Sequence, residues 1–226
     1  MNTNTVTPSI EQRKLLDLHL QLVIKENKIT NLTRIIDWDS AQILHIEDSL
    51  VGLPEIISAP SGKYLDMGTG AGFPGIPIAI MTKRETVLAD SVGKKTKALD
   101  RIIDTLDIAS HVSTYNGRIE ELSLISPESF SVISARALSS LASLLELSSP
   151  LLQKNGYLVC YKSQDVDDEL KHAKSVADKL GFEYMSRRDT LLSDGVTERS
   201  IIVFKKIHEP LVTLPRRVGI AQKKPY

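Results

Sequence analysis

Residues 64–77 read Tyr-Leu-Asp-Met-Gly-Thr-Gly-Ala-Gly-Phe-Pro-Gly-Ile-Pro, and few folds accommodate such a run. Tyr64, Leu65 and Met67 form the short apolar stretch of a buried parallel strand, with Asp66 near its carboxyl end. Gly68, Gly70 and Gly72 predict a turn in which a ligand can approach bare backbone. Pro74 and Pro77 preset φ for the opening of a helix, where a missing N–H costs nothing. The dinucleotide fingerprint G-x-G-x-x-G needs its third glycine at position 73, and Phe73 stands there instead.

A second anchor is Asp90, which ends the apolar run Thr86–Ala89. An acid about 20 residues beyond the first glycine suits the hydroxyls of a ribose. That distance serves nicotinamide and S-adenosylmethionine (AdoMet) sites equally, so the glycine spacing has to choose between them. The D-x-G-x-G-x-G pattern from Asp66 to Gly72 resembles the first strand–loop junction of AdoMet-dependent methyltransferases. Their loop leaves room for an adenosine and an amino-acid moiety.

A chain of 226 residues, 42% hydrophobic and 25% charged, suits one moderately large domain with a real core. Its single cysteine, Cys160, excludes a disulfide or a zinc framework and reads as a buried small hydrophobe. Five scattered histidines make metal catalysis a poor expectation. The chain shows no signal-peptide pattern and no apolar run long enough to span a bilayer, so a soluble, cytoplasmic protein is expected. Zero formal net charge argues against a general nucleic-acid coat protein and confines any RNA contact to local patches.

The element order predicts a doubly wound α/β sheet, mostly parallel, with an antiparallel final strand. Helix Pro74–Met81 precedes strand 86–90, and helix Lys94–Leu106 follows with Ala98, Leu99, Ile102, Ile103 and Leu106 at helical spacing. Strands are expected at 112–115, 130–134 and 157–162, the last after an Asn155-Gly156 turn. Helices are expected at 138–147 and at 166–180, closed by Gly181. Residues 183–186 and 199–204 form the expected antiparallel pair. Parallel pairing with right-handed crossovers puts Gly68, Asp90 and Arg136 at the carboxyl ends of strands, where ligands bind. Residues 1–60 read as a helical cap, with Leu15, Leu18 and Leu22 on one face of a helix over 10–26. Residues 61–208 form the methyltransferase domain, and 209–226 a basic tail.

Several blocks occur in a fixed order: Asn27–Thr33 (N-K-I-T-N-L-T), His45–Leu50 (H-I-E-D-S-L), Asp66–Pro77, Asp90-Ser91, Ala135-Arg136-Ala137 and the ending Pro215–Pro225. Together they resemble the bacterial small-subunit rRNA guanine-N7 methyltransferase family, methyltransferase G, from about residue 10 to the end. The glycine element alone is shared by many methyltransferases. The N-L-T, H-x-x-D-S and G-F-P-G-I-P blocks with the basic tail single out this family. The resemblance implies an AdoMet-dependent, Rossmann-like class I methyltransferase acting on 16S rRNA or the 30S subunit as a monomer without a metal. Gly68 and Phe73 match cofactor-loop residues, Ile119 and Glu120 the pair beside the adenine, and Arg136 an arginine at the cofactor pocket. His45, Asp48 and Ser49 match a block facing the same cleft. One departure stands after the fifth strand, where Lys162-Ser163 replaces the family's Lys-Gly.

The chemistry asks little of the side chains. Methyl transfer from a sulfonium is an in-line displacement, and alignment alone supplies roughly 7–11 kcal/mol. The guanine N7 lone pair needs no general base. His45 and Asp48 are the candidate catalytic residues, for positioning; Asp48 could also oppose the positive charge of the product. The bland readings are a structural hydrogen bond for His45 and a pairing of Arg136 with an acid such as Glu120. In the tail, Arg216, Arg217, Lys223 and Lys224, with Lys205 and Lys206 before them, face the single acid Glu209 and are candidate phosphate contacts. Removing the tail leaves all of these expected cofactor contacts in place. Lys94, Lys95, Lys97 and Arg101 form a second basic stripe. The alternatives are a methyltransferase for another RNA, a protein or a small molecule, and a non-catalytic nucleotide-binding regulator.

Overall fold

The computed structural model describes residues 7–226. Seven strands form one sheet in the order β3-β2-β1-β4-β5-β7-β6. Strands β1 (Lys63–Met67), β2 (Thr86–Asp90), β3 (Val112–Asn116), β4 (Phe130–Arg136) and β5 (Leu152–Lys162) run parallel. The hairpin of β6 (Phe182–Leu191) and β7 (Glu198–Lys206) adds the antiparallel edge. The sheet is the doubly wound one expected. Chain direction across it reverses between β1 and β4, and in such sheets the crevice at the switch point takes the ligand.

Strand alternation sends Leu65, Met67, Ala89 and Ile133 to one face, against α7 (Ile119–Ile125), α8 (Leu141–Ser148) and α9 (Asp167–Ala177). The opposite face takes Leu88 against α5 (Gly75–Thr82) and α6 (Gly93–Thr105), where Ala98, Leu99, Ile102 and Ile103 form a buried stripe. Helix α1 (Ile10–Asn27) begins on a Ser9–Gln12 capping box and packs on that second face. Its fully buried side chains are Leu16, His19, Leu20 and Val23, whereas Leu15, Leu18 and Leu22 flank them half-buried. The hydrophobic stripe is therefore turned from the sequence expectation, because α1 wedges between α5 and α6 instead of resting on one of them.

Three further boundaries differ. The rest of the expected helical cap is not one regular helix: it starts as α2 (Trp38–Ala41), widens to π-helical turns over Gln42–Glu47 and resumes as α3 (Asp48–Leu50); α4 (Leu53–Ser58) follows. Helix α8 starts at Leu141, three residues late, because Ser140 caps it through Ser143 N–H. The Asn155-Gly156 turn lies inside β5 as an irregularity with Asn155 at φ 69°, so this strand begins at Leu152.

Candidate functional site

A half-open cavity of about 220 Å³ lies at the carboxyl ends of β1, β2 and β3. Gly68 and Gly70 form one side, Asp90, Ser91 and Lys95 the next, and Gly117–Glu120 the third. Ala137, Leu138, Leu147 and Gln222 complete it. Leu138 is available here because the late start of α8 leaves residues 137–140 as a loop at the strand end. A groove of about 910 Å³, lined by Arg13, Ile43, Ile46, Leu50 and Arg188 among others, is larger. It is lined by the helical cap and the β6–β7 hairpin and shares no residue with the cavity at the glycine loop.

The glycine loop is held from behind. Gly68 and Thr69 N–H both donate to Ala89 O, at 2.9 and 3.0 Å. Asp66 does not reach the cavity. It is fully buried and accepts from Gly75 N–H at 2.9 Å and Ser134 Oγ at 2.8 Å, which ties β1 to the start of α5 and to β4. Burial raises its carboxyl above the usual carboxylate range. Asp90 does line the cavity. Its Oδ2 accepts from Gly70 N–H at 3.1 Å and its Oδ1 from Val92 N–H at 2.9 Å, so the carboxylate sits against the turn that a ribose would cross.

Gly68 has φ +72°, and a Cβ there would lie 2.7 Å from Leu138 Cδ1. The side chain of a substituted residue would strike the far wall of the cavity rather than fill the ligand space itself. At Gly70 (φ +60°) a Cβ would meet nothing closer than Gly68 O at 4.0 Å. Gly70 is thus the position whose bareness keeps the cleft open.

The sequence blocks from the amino-terminal cap converge beside this cavity rather than within it. Asn27 Oδ1 accepts from Leu32 and Thr33 N–H at 2.7 and 3.0 Å, and Thr33 Oγ1 lies 2.9 Å from His45 Nε2. The His45 ring stacks on Phe73 at 4.5 Å and 8°, and His19 packs against the same ring at 4.5 Å. Phe73, expected in the cofactor loop, is 4% exposed and belongs to the core between those histidines. Burial pulls His19 down to about 3 and His45 to about 4, so both are neutral at physiological pH.

Arg136 also stands outside the cavity lining. Its Nη1 donates to Asp48 Oδ2 at 2.7 Å and to Leu44 O at 3.2 Å, with its guanidinium 5.8 Å from the Phe73 ring centroid. Its acid partner is Asp48, not Glu120. Asp48 is held from the other side by Arg199, whose Nε donates to Oδ1 at 2.8 Å. Two guanidiniums on one carboxylate leave Asp48 no uncompensated charge to offer a cationic product, which corrects that expectation. Sequence reasoning sees Arg199 only as part of a strand; no local pattern announces a partner 151 residues away. Lys162, at the departure from the family pattern, donates to Ser139 O at 2.9 Å and pairs with Glu169 at 2.6 Å.

The basic tail needs the largest correction. Lys206 belongs to β7, fully buried, and its Nζ donates to Ser149 O and Oγ. Arg216 forms a bidentate pair with Glu146 at 2.6 and 2.5 Å, a carboxylate only 2% exposed, so it is not available to phosphates. Arg217, Lys223 and Lys224 are exposed. Gly219 N–H donates to Glu120 Oε1 at 2.7 Å, and Gln222, three residues on, lines the cavity. The tail is therefore part of the cavity wall, and its removal would take away Gln222 and the Gly219 bond to Glu120. In the second basic stripe, Arg101 is paired with Glu26 and Lys95 lines the cavity.

The site gathers backbone donors, an acid at the end of β2, a polar pair near α7 and apolar walls from Ala89, Ile119, Leu138 and Leu147. That donor set fits a nucleoside: acceptors for ribose hydroxyls, apolar faces for a purine. Sites that enclose a whole drug-sized ligand run to ~300–1,000 Å³, so this cavity suits the nucleoside, with the remainder of the ligand along the open glycine loop. Such a fold and cleft define a class I methyltransferase. An O-methyltransferase of Bacillus cereus, solved with S-adenosylhomocysteine, superposes with TM-score 0.58 at 15% identity, covering 90% of this chain and 94% of its own. The geranyl diphosphate C-methyltransferase of Streptomyces coelicolor does so with TM-score 0.57 at 11%, covering 75% and 80%. The family model described as rRNA small subunit methyltransferase G matches residues 12–202, and the chain belongs to that family. The ribosomal RNA small subunit methyltransferase G of Carboxydothermus hydrogenoformans is 36% identical over 222 residues, 96% of this chain and 94% of its own length. That of Lachnoclostridium phytofermentans is 34% identical over 217 residues, covering 95% and 89%.

Proposed function

We propose that this protein transfers a methyl group from AdoMet to N7 of a guanine in 16S ribosomal RNA. The observation that carries the reading is the cavity in which Gly68, Gly70 and Asp90 meet Ile119 and Glu120, in a chain of this family. AdoMet supplies an electrophilic methyl on a sulfonium leaving group. The chain's work is binding and alignment, which suits a nucleophile that carries a free lone pair. Asp90 takes the ribose hydroxyls, the Gly68–Gly70 backbone the amino-acid end, and Ile119 with Glu120 the adenine.

Neither His45 nor Cys160 fits a proton-transfer role. His45 is neutral, stacked and held near 4 by burial, and Cys160 is buried with its thiol pushed up to about 12. His45, Phe73, Asp48 and Arg136 support the reading as a positioning frame: they fix the end of β4 and the glycine loop relative to the cap. Among the described residues, no group of three or more His, Cys, Asp or Glu side chains is arranged to hold a metal ion, and no helix is long and apolar enough to cross a membrane. Exposed Arg217, Lys223 and Lys224 are the proposed phosphate contacts of the rRNA.

Incubation with methyl-labelled AdoMet and either 30S subunits or naked 16S rRNA tests this reading. Label mapping to N7 of a single guanine is the expected result. Label on a protein or small molecule, or none on either RNA substrate, rejects it.

A further inference from the structure

The last wall of the cavity is not built by the sheet. It arrives with the carboxyl-terminal segment, which is fastened on both sides of one side chain. Arg216 grips buried Glu146 and also donates from Nη2 to Lys224 O at 2.7 Å. Gly219 N–H is bonded to Glu120, and Ala221, 2% exposed, accepts from Ser143 Oγ at 2.6 Å through its carbonyl. These attachments bracket Gln222, and Gln222 is the tail side chain that lines the cavity.

The chemistry of that side chain is distinct among the walls. Asp90, Lys95, Arg118 and Glu120 bring charge, whereas Gln222 brings a neutral carboxamide with one acceptor oxygen and a two-proton donor. A carboxamide complements the edge of adenine, which presents an amino donor beside a ring-nitrogen acceptor. The bond from Gly219 holds the segment against Glu120, which lines the same cavity as Gln222.

We propose that Gln222 is a cofactor-binding residue whose carboxamide pairs with the adenine edge of AdoMet, and that the carboxyl-terminal segment is a wall of the cofactor site. The proposal rests on the reading of this cavity as the AdoMet site. It also joins the two substrates physically. Exposed Lys223 and Lys224 directly follow Gln222, so one segment serves the cofactor site and the proposed RNA contacts.

Calorimetric titration of AdoMet, and separately of adenosine, into the full-length protein and its variants tests this. Gln222→Ala, at an exposed position, should fold normally and bind AdoMet about three- to tenfold more weakly, the effect of removing one neutral hydrogen-bonding partner. Adenosine should weaken by the same factor, because the pairing is to the nucleoside. A chain ending at Val218 should lose more, with its melting curve recorded alongside. A folded Gln222→Ala variant with wild-type affinity overturns the assignment, as does a loss for AdoMet with none for adenosine. A folded chain ending at Val218 with full affinity removes the wall as well. Wild-type protein that binds no AdoMet refutes the cofactor reading itself, and the proposal with it.

Discussion

Gly70 and Gly68 sit two residues apart in one loop and ask for different tests. Gly70→Ala puts a methyl group into the open cleft, at the cost of about 1–2 kcal/mol for a left-handed alanine. The expected outcome is a modest fall in melting temperature and AdoMet binding weakened by about 1–3 kcal/mol, the usual penalty for overfilling a packed site. Gly68→Val would instead press on Leu138. Its loss of binding would come with larger destabilisation, so it is the poorer probe of how the ligand is held. Asp90→Ala should weaken AdoMet by about 1–3 kcal/mol through the absence of charge-assisted hydrogen bonds. Calorimetry at matched stability checks both, and an Asp90→Ala protein with unchanged affinity would remove the ribose assignment. The same substitution frees Gly70 and Val92 N–H, so part of its effect is a loosened loop.

At the level of elements, α1, the π-helical segment and the glycine loop meet in a stack of two neutral histidines on Phe73. Both histidines have folded-state values far below 6.5, at about 3 for His19 and about 4 for His45. The unfolded chain therefore binds protons that the folded chain refuses. Stability is fully present above pH 6.5 and declines as pH falls from 6.5 to about 4 for His45 and to about 3 for His19, by up to about 1.4 kcal/mol per unit for each group. Urea unfolding at pH 7.5 and pH 5 should show this drop, and His19→Phe should flatten it. An unchanged pH slope in His19→Phe would show that His19 is not one of the groups responsible. Phe73→Ala should cost about 3–5 kcal/mol, the ordinary value for a buried phenylalanine. Because Phe73 does not line the cavity, any folded fraction should bind AdoMet with affinity closer to wild type than Asp90→Ala does. Arg216→Leu would strand the buried Glu146 carboxylate and should cost about 3–5 kcal/mol.

Across the whole molecule the net charge is zero, so attraction to RNA has to come from a local field. The tail supplies three exposed cations, Arg217, Lys223 and Lys224, while Lys206 and Arg216 are consumed by internal bonds. Replacing those three by alanine should weaken binding to ribosomal RNA and lower the slope of log affinity against log salt by roughly 0.7–0.9 for each phosphate no longer neutralised. A salt titration of binding checks it. An unchanged slope would leave the three as solvated surface charges.

The sequence by itself determined those features that depend on neighbours in the chain. Apolar runs of strand length, helical spacing in residues 94–106, glycines at alternate positions and an acid at a strand end all express local physics. They specified a parallel sheet with an antiparallel edge and placed Gly68 and Asp90 together at the carboxyl ends of its strands. What only the tertiary structure decided are the partners of long polar side chains, because a guanidinium or carboxylate on a strand end can reach several elements. Asp48 could have faced the cleft, yet Arg136 and Arg199 hold it from strands 88 and 151 residues away. Phe73 reads as a loop residue because it stands between Gly72 and Pro74, yet the two histidines that cover it come from α1 and the π-helical segment. The tail reads as a free basic end because its composition is basic. Its placing rests on Glu146, a buried acid on a helix that local sequence describes only as apolar, together with Glu120 and Ser143, and these attachments bracket Gln222 at the cavity.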